Sequence, residues 1–513
     1  MSESSRFAKN YFAIVLGFAV NIGLNAATML LLGWGLSVGE FGVFSYALAI
    51  VGILSVVGQA GTSQYSVSFI PRNKHLIGDF LSAAQGLRVA AILPMLLAVV
   101  ILALVTCTTT AGKETVIIMG LAMIIQLELF FIRDVFQAVE MNYLGSILLT
   151  VRACSLLAGI GIWYMAFHGP WIKLPEDSNR DLLGLAIIWV VTQVPAVILA
   201  MRMIGRRVAP LKIDWRPASW WWILKKSYLF ALVSLVMVQP GTVETIILKV
   251  LKGSKNNDEL GYYQVALRLA MLTMLLAVSV SEAFRPIISR KFGESPAAFR
   301  RAIHSLHKYS FLTGVPIFLF TAVFAHDILG MLFGTKYLPA TPLVQMICLA
   351  NIINVTPPLW MVFHMTDLQH LSFRIGLVNL GVTVILCIIL YPHIGMYGAA
   401  IATSATIVVS KLQTILYWRR HGYPMINSLL PLVSTLAVSI LATGGSWLLL
   451  PYLHLAATFA CFAVAVLVGT WTLAMDSSDR RAAIGVLSRA AKSRRNQAVD
   501  TLTPKESEQA EVP

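Results

Sequence analysis

GEFGVFSYALAIVGI, residues Gly39 to Ile53, is echoed later in the chain by DELGYYQVALRLAML, Asp258 to Leu272. At an offset of 219 the two share Glu40/Glu259, Gly42/Gly261, Ala47/Ala266 and Leu48/Leu267, with Phe44 opposite Tyr263. The second copy places Arg268 where the first has Ala49. Related phrases close both stretches, SFIPR at Ser68 to Arg72 and AFRPI at Ala283 to Ile287. A fainter echo, at an offset of 214, pairs GLAIIWVVTQ from Gly184 with GAAIATSATI from Gly398.

The surroundings of these phrases are apolar. Of 513 residues, 57% are hydrophobic and 12% charged, with a mean hydropathy of +0.76. A soluble domain carries about 25% charged residues, so this chain cannot cover its surface in water. Apolar runs of roughly 20 residues recur along it, the length of a membrane-crossing helix. The strict alternation of a membrane β-barrel is missing. The sequence predicts an all-α polytopic membrane protein of about fourteen transmembrane helices. The expected spans are 11–33, 42–70, 84–106, 115–137, 145–167, 182–201, 227–248, 262–288, 310–326, 342–364, 372–391, 397–418, 428–449 and 454–475.

Equivalent phrases six spans apart, with the same polarity, predict two pseudo-symmetric six-helix lobes. Their axis lies along the membrane normal, as in transporters built from parallel repeats. The expected division is an N-lobe of six spans over 1–201, a basic interfacial linker over 202–226 and a C-lobe of six spans over 227–420. Two extra helices follow over 421–475, then a disordered tail over 476–513. The linker ends in Trp220, Trp221 and Trp222, a composition suited to the headgroup layer. Charge sets the orientation. With the N-terminus inside, the cytoplasmic connections and tails hold 25 of the 39 Lys and Arg residues and the outer connections seven, Lys249 among them. Both termini are expected in the cytoplasm. The net charge of +15 then reflects topology, and no basic soluble face suggests nucleic acid. The five cysteines, lacking any CxxC pair, read as small apolar residues.

Ionisable residues within spans are costly and mark function or pairing. Arg268, Arg152 and Glu128 lie deep, and Glu244 lies nearer the outer end of its span. Glu128 and Arg152, on neighbouring antiparallel spans, form one expected pair. Arg88, Arg133, Arg285 and Arg374 lie close enough to the inner face to snorkel, and the stem of Lys411 can reach it. Gln239-Pro240-Gly241 interrupts the seventh span, and Pro240 and Gly241 are the expected hinge. No nucleophile–base arrangement, metal motif or phosphate loop occurs, and nothing in the sequence asks for a cofactor.

LSVGEFGVFSYALAI, LGYYQVALRLAML with FRPIISRKFGE, ILGMLFGTKYLPATPLVQM and GMYGAAIAT resemble, in order, signatures of one family. It is the polysaccharide-export branch of the multidrug/oligosaccharidyl-lipid/polysaccharide exporter superfamily. The resemblance covers most of residues 10–420. It implies a V-shaped pair of lobes around a cationic cavity and no enzymatic activity. The implied task is flipping an undecaprenyl-pyrophosphate-linked oligosaccharide across the bacterial inner membrane for surface polysaccharide synthesis. YYQVALRL is similar to the span-8 phrase of the superfamily's lipid II flippases, with the cavity arginine falling on Arg268. The planar guanidinium suits phosphate. With Arg268 from the resemblance and the others from the reading of the spans themselves, the expected substrate-contacting set is Arg268, Arg152, Glu128, Glu244, Asn25 and Arg88. Span 1 departs from the pattern, offering Asn21 and Asn25 in place of charge. Membrane lipid, the lipid-linked oligosaccharide, and polymerase and chain-length proteins are the implied partners. A lipid II flippase and a cation-coupled drug exporter are the alternatives within the fold.

Overall fold

The computed structural model describes residues 20–168, 178–236, 241–252, 257–355, 369–420, 430–450 and 454–474. In chain order the main helices are α1 (Val20–Gly35), α2 (Val38–Gln59), α3 (Thr62–Phe69), α4 (Ile77–Thr106), α5 (Thr110–Ala138), α6 (Asn142–His168), α7 (Ser178–Val191) and α8 (Val194–Arg207). There follow α9 (Pro217–Val236), α10 (Thr242–Lys252), α11 (Asn257–Glu294), α12 (Pro296–Val323), α13 (Ala325–Leu332), α14 (Thr341–Asn354), α15 (Gln369–Ile394), α16 (Met396–Arg420), α17 (Leu430–Leu449) and α18 (Leu455–Gly469). No strand occurs among the described residues. Ten helical segments among them are long and apolar enough to cross a bilayer. Three of the other expected spans, the first, seventh and tenth, run in part through undescribed residues, and α11 carries the eighth.

The polarity of the molecule is that of a lipid-facing bundle. Leu93, Val105 and Leu441 are exposed by 76%, 77% and 73%, while many of the polar groups point inward. Apolar surface on this scale fits hydrocarbon, not water.

Two expected spans are broken. α2 starts with a capping box, Ser37 Oγ accepting from the Glu40 amide and Glu40 Oε2 accepting from the Ser37 amide at 2.8 Å. Glu40, one of the repeated residues, thus satisfies a helix end. α2 then stops at Ala60 (φ 47°), and Gly61 (φ 72°) turns the chain into α3. A Cβ on Gly61 would overlap the backbone of Ser227 and Ala231 in α9, so both its dihedral and its neighbour demand glycine. Ser227 Oγ donates to the freed Ala60 carbonyl at 2.7 Å. The sixth span breaks at Thr192 and Gln193, with Pro195 in the first turn of α8. A proline there lacks the amide that a continuous helix would need.

Helix α8 continues to Arg207 and α9 begins at Pro217, so residues 208–216 connect them. Trp220, Trp221 and Trp222 belong to the first turns of α9. Asp214 donates its amide to Ser82 O at 3.1 Å, and Trp220 Nε1 donates to Asp214 O at 2.6 Å, which docks the connection on α4. Although α9 follows the connection, it packs on α2, α3 and α4 as well as on α15.

We call the side carrying residues 208–216 the linker face and the other the seam face. On the seam face one hydrophobic core joins Leu32, Phe41 and Phe44 to Tyr263, Phe333 and Tyr337. On the linker face the cores separate. One gathers Ile70, Phe80, Phe136 and Ile204 with Ile223 of α9, and another gathers Ile288, Phe299, Ile303 and Trp418. Shared on one side and divided on the other, the lobes make a V. At the seam, a Cβ on Gly42 would overlap the Asn257 carbonyl and stand 2.9 Å from the Gly261 amide. A Cβ on Gly261 would overlap the Val38 carbonyl. Val38 and Asn257 are themselves 219 apart, so the contact is self-complementary, as across a two-fold axis.

Candidate functional site

The charged groups predicted from sequence fall into separate clusters. Glu128, on α5, faces α4. Its Oε2 lies 2.9 Å from Arg88 Nη2, and its Oε1 accepts from Gln85 Nε2 at 2.8 Å. Arg88 stacks 3.6 Å over the Phe131 ring and is 1% exposed; Glu128 is 8% exposed. Two expectations are corrected here. Glu128 pairs with Arg88 and not with Arg152, and Arg88 does not snorkel. The eleven residues from Ile77 carry Arg88 inward by about 16 Å at 1.5 Å per residue. Lys411, 5% exposed, is likewise buried within its lobe instead of reaching the interface.

Arg152, on α6, donates Nε to Gln193 Oε1 at 3.1 Å and lies 5.9 Å from the Phe130 ring centre. Gln193 is fully buried at the α7–α8 break and donates to Trp189 O. The arginine therefore steadies the break, with no carboxylate beside it among the described residues.

Glu244 occupies the third position of α10. Its Oε2 accepts from the Gly241 amide at 2.9 Å, the back-bond of a capping box. Its Oε1 lies 3.2 Å from Thr403 Oγ1 on α16, which lies 2.7 Å from the Tyr263 hydroxyl on α11. Gln264 Nε2 donates to Thr245 Oγ1, which donates to Gly241 O. Gly241 itself has φ 88° and packs on Leu267. Pro240 lies outside the described residues. A polar knot joining α10, α11 and α16 thus stands where the sequence suggests a hinge. Sequence reading selected Glu244 and missed Tyr263, Gln264 and Thr403, which look like ordinary helix residues until three helices meet.

Asn25 donates Nδ2 to Asn21 O at 2.7 Å, and Asn21 donates to Leu149 O at 2.9 Å. These side chains tie α1 to α6. Arg268, on α11, is the exception to this pairing. It is partly exposed, its Nε is buried without a hydrogen-bond partner, and no carboxylate pairs with it among the described residues. The six candidates are not joined by any ion pair beyond Arg88–Glu128 among the described residues. No group of three metal-ligating side chains occurs among these residues.

The seam face holds two lysines that sequence reading left as connection residues. Lys336 Nζ donates to Trp34 O at 3.1 Å and Leu36 O at 2.6 Å, closing the carbonyl end of α1. Burial pushes its ammonium below the ordinary value, with Glu40 acting the other way. Trp34 Nε1 donates in return to Leu332 O at 2.6 Å. Lys249, on α10, is 3% exposed and donates to Asn257 Oδ1 at 2.6 Å.

A polysaccharide biosynthesis protein family model matches residues 7–292, more than half the chain. The chain belongs to that family. A MatE family model matches residues 236–389. No curated protein is matched by this sequence. Among solved structures, the fold is similar to the lipid II flippase MurJ in an inward closed conformation, with a TM-score of 0.66 and 13% identity over 90% of this chain and 98% of that one. It is also similar to an inward-facing multidrug resistance MATE family transporter of the MOP superfamily, with a TM-score of 0.58 and 13% identity over 80% and 98%. The MATE multidrug transporter DinF-BH in complex with R6G gives a TM-score of 0.56 and 15% identity over 83% and 97%. At such identities the likeness is one of fold: a polytopic helical membrane protein with the architecture of this superfamily.

Proposed function

We propose that this member of the polysaccharide biosynthesis protein family flips an undecaprenyl-pyrophosphate-linked oligosaccharide across the bacterial inner membrane. It acts by alternating access and without chemical conversion of the substrate. The observation that carries the reading is Arg268. The repeat gives this position alanine in the first copy, so the fold does not require a charge there. The guanidinium has a buried Nε with no hydrogen-bond partner among the described residues. An unpaired cation in a membrane helix is costly unless it faces a ligand or water, and a diphosphate is a ligand of matching charge and geometry.

The linker face carries the larger share of Lys and Arg and is assigned to the cytoplasm. The V then opens inward, and the head group enters from the cytoplasmic leaflet while the polyprenyl tail stays in lipid. Gly241, at the start of α10 with φ 88°, is the proposed hinge about which α10 swings. Glu244, in the polar knot beside that hinge, is the acid placed to exchange a proton or cation during the cycle. Surface polysaccharide measured in a deletion strain tests the reading. Arg268→Ala at normal membrane level abolishes it and Arg268→Lys partly restores it; normal polysaccharide with Arg268→Ala rules the reading out. The MurJ likeness over 90% of the chain favours lipid II as the second substrate. Peptidoglycan precursor accumulating on deletion, with polysaccharide intact, would select it.

A further inference from the structure

Lys249 has an unusual position in the seam. It lies on α10, packed against α2 of the other lobe, with its Nζ 6.0 Å from the ring centre of the fully buried Tyr46. Among the described residues its hydrogen bond goes to the neutral amide oxygen of Asn257. No carboxylate pairs with it among the described residues, and the undescribed connection 253–256 contains no acid. At the repeat offset the first copy has Leu30. The first copy thus fills the corresponding slot with an apolar residue. A buried cation with a neutral acceptor and a ring face destabilises the closed seam relative to an apolar side chain of similar volume. Its retention calls for a partner that arrives in another state.

That state is defined by the seam itself. The contacts Gly42–Asn257 and Gly261–Val38 leave no room for a solute between α2 and α11. Anything released on the seam face requires α2 to part from α10 and α11, and parting uncovers Lys249. Arg268 lies eleven residues beyond Asn257 on α11, about 16 Å deeper at 1.5 Å per residue. Two cations without a carboxylate partner among the described residues thus lie at different depths on α10 and α11, the helices that line the seam.

We propose that Lys249 is a release-side contact for a phosphate-bearing lipid head group, hidden in the closed seam and exposed when the lobes separate there. This rests on the substrate class proposed above. In the cycle, the diphosphate engages Arg268 from the linker face and then meets Lys249 as the seam opens. Its negative charge compensates the lysine that the closed seam leaves unpaired, and so favours opening only when substrate is loaded.

The test uses the full-length protein in proteoliposomes with a fluorescent polyprenyl-diphosphate-linked disaccharide as probe, comparing wild type with Arg268→Ala, Lys249→Met and Lys249→Arg. Thermal unfolding in detergent is read in parallel. Lys249→Met is expected to unfold at the same or a higher temperature and to flip the probe at least tenfold more slowly, while Lys249→Arg keeps most of the rate. If Arg268→Ala stops flipping and Lys249→Met does not slow it, this inference falls and the substrate reading stands. If Lys249→Met lowers both the unfolding temperature and the rate, Lys249 is a structural clamp and the inference falls. If wild type does not move the probe, the substrate reading falls and the inference with it.

Discussion

Arg88 and His307 each stand eleven residues after the start of the corresponding helix, α4 in the first copy and α12 in the second. Both are buried. Arg88 has Glu128, Gln85 and the Phe131 ring around it. Among the described residues neither ring nitrogen of His307 has a hydrogen-bond partner, and the nearby Ser310 hydroxyl has none either. The same helical slot is thus an ion pair in one lobe and an uncompensated polar group in the other. A repeat preserves where helices go. It does not preserve what their inward positions carry, and it is in those inward substitutions that the two lobes acquire different work.

The strongest way to break this comparison is to remove one member of the pair. Arg88→Leu or Glu128→Leu alone should destabilise the protein by about 3–5 kcal/mol, because a charge is left buried without its partner. The double change Arg88→Met/Glu128→Leu should recover most of that loss in detergent unfolding. His307→Leu, by contrast, should be neutral within about 1 kcal/mol or stabilising, since it removes an unsatisfied group. Equal losses for Arg88→Leu and His307→Leu would mean the two slots are not chemically distinct.

Next in size come the glycines. Gly42→Val and Gly261→Val should each cost about 1–3 kcal/mol by overpacking the seam, and by similar amounts, because the two contacts are related by the repeat. A tolerated change at one and not at the other would show that the closed seam is asymmetric. Gly61→Ala should cost a comparable amount through its left-handed dihedral and its contact with α9. It has no partner in the comparison, and so calibrates the others.

Smaller again is the capping box, where Ser37→Ala should cost about 1 kcal/mol. The smallest effect lies in the connection between the lobes. The Arg216 guanidinium, bound to Asp214 at 2.9–3.2 Å, holds that carboxyl well below the usual carboxylate range. A depressed folded value contributes stability above the unfolded carboxylate pKa, near 4, and that contribution disappears only as pH falls below it. Amide exchange at residues 208–216, corrected for its intrinsic pH dependence, should therefore be unchanged between pH 7 and pH 5. A loosening in that window would mean Asp214 does not hold the connection.

Much of the fold was legible because apolar length and repeated phrases both report on it. The helix directions, the duplication and the prominence of Gly42 and Gly261 follow from the sequence. The breaks did not. Thr192 and Gln193 lie in a continuous apolar run, and Ala60-Gly61 reads as ordinary helix until α9 packs against it. Depth was misjudged for Arg88 and Lys411 because sequence distance from a basic loop says nothing of helix extension beyond the bilayer or of what a side chain meets inside. Glu128 was rightly singled out as buried and given the wrong partner, since pairing depends on helix rotation. Lys249 escaped notice because a lysine near a span end looks like an anchor. Comparison with Leu30 at the offset of 219 was the available signal.

Helix α9 belongs by chain order to the second half and by packing to the first as much as to its own. This affects how the protein can be divided. Two co-expressed fragments cut within residues 208–216 would leave the first without the wall that covers Ala60 and Gly61, exposing an open flank until its complement arrives. A cut placed just after Val236 would hand that wall to the first fragment and leave each half with fewer raw surfaces. The chain's natural seam for splitting, tagging or circular permutation is therefore displaced from its most obvious hydrophilic segment to the middle of an apolar one.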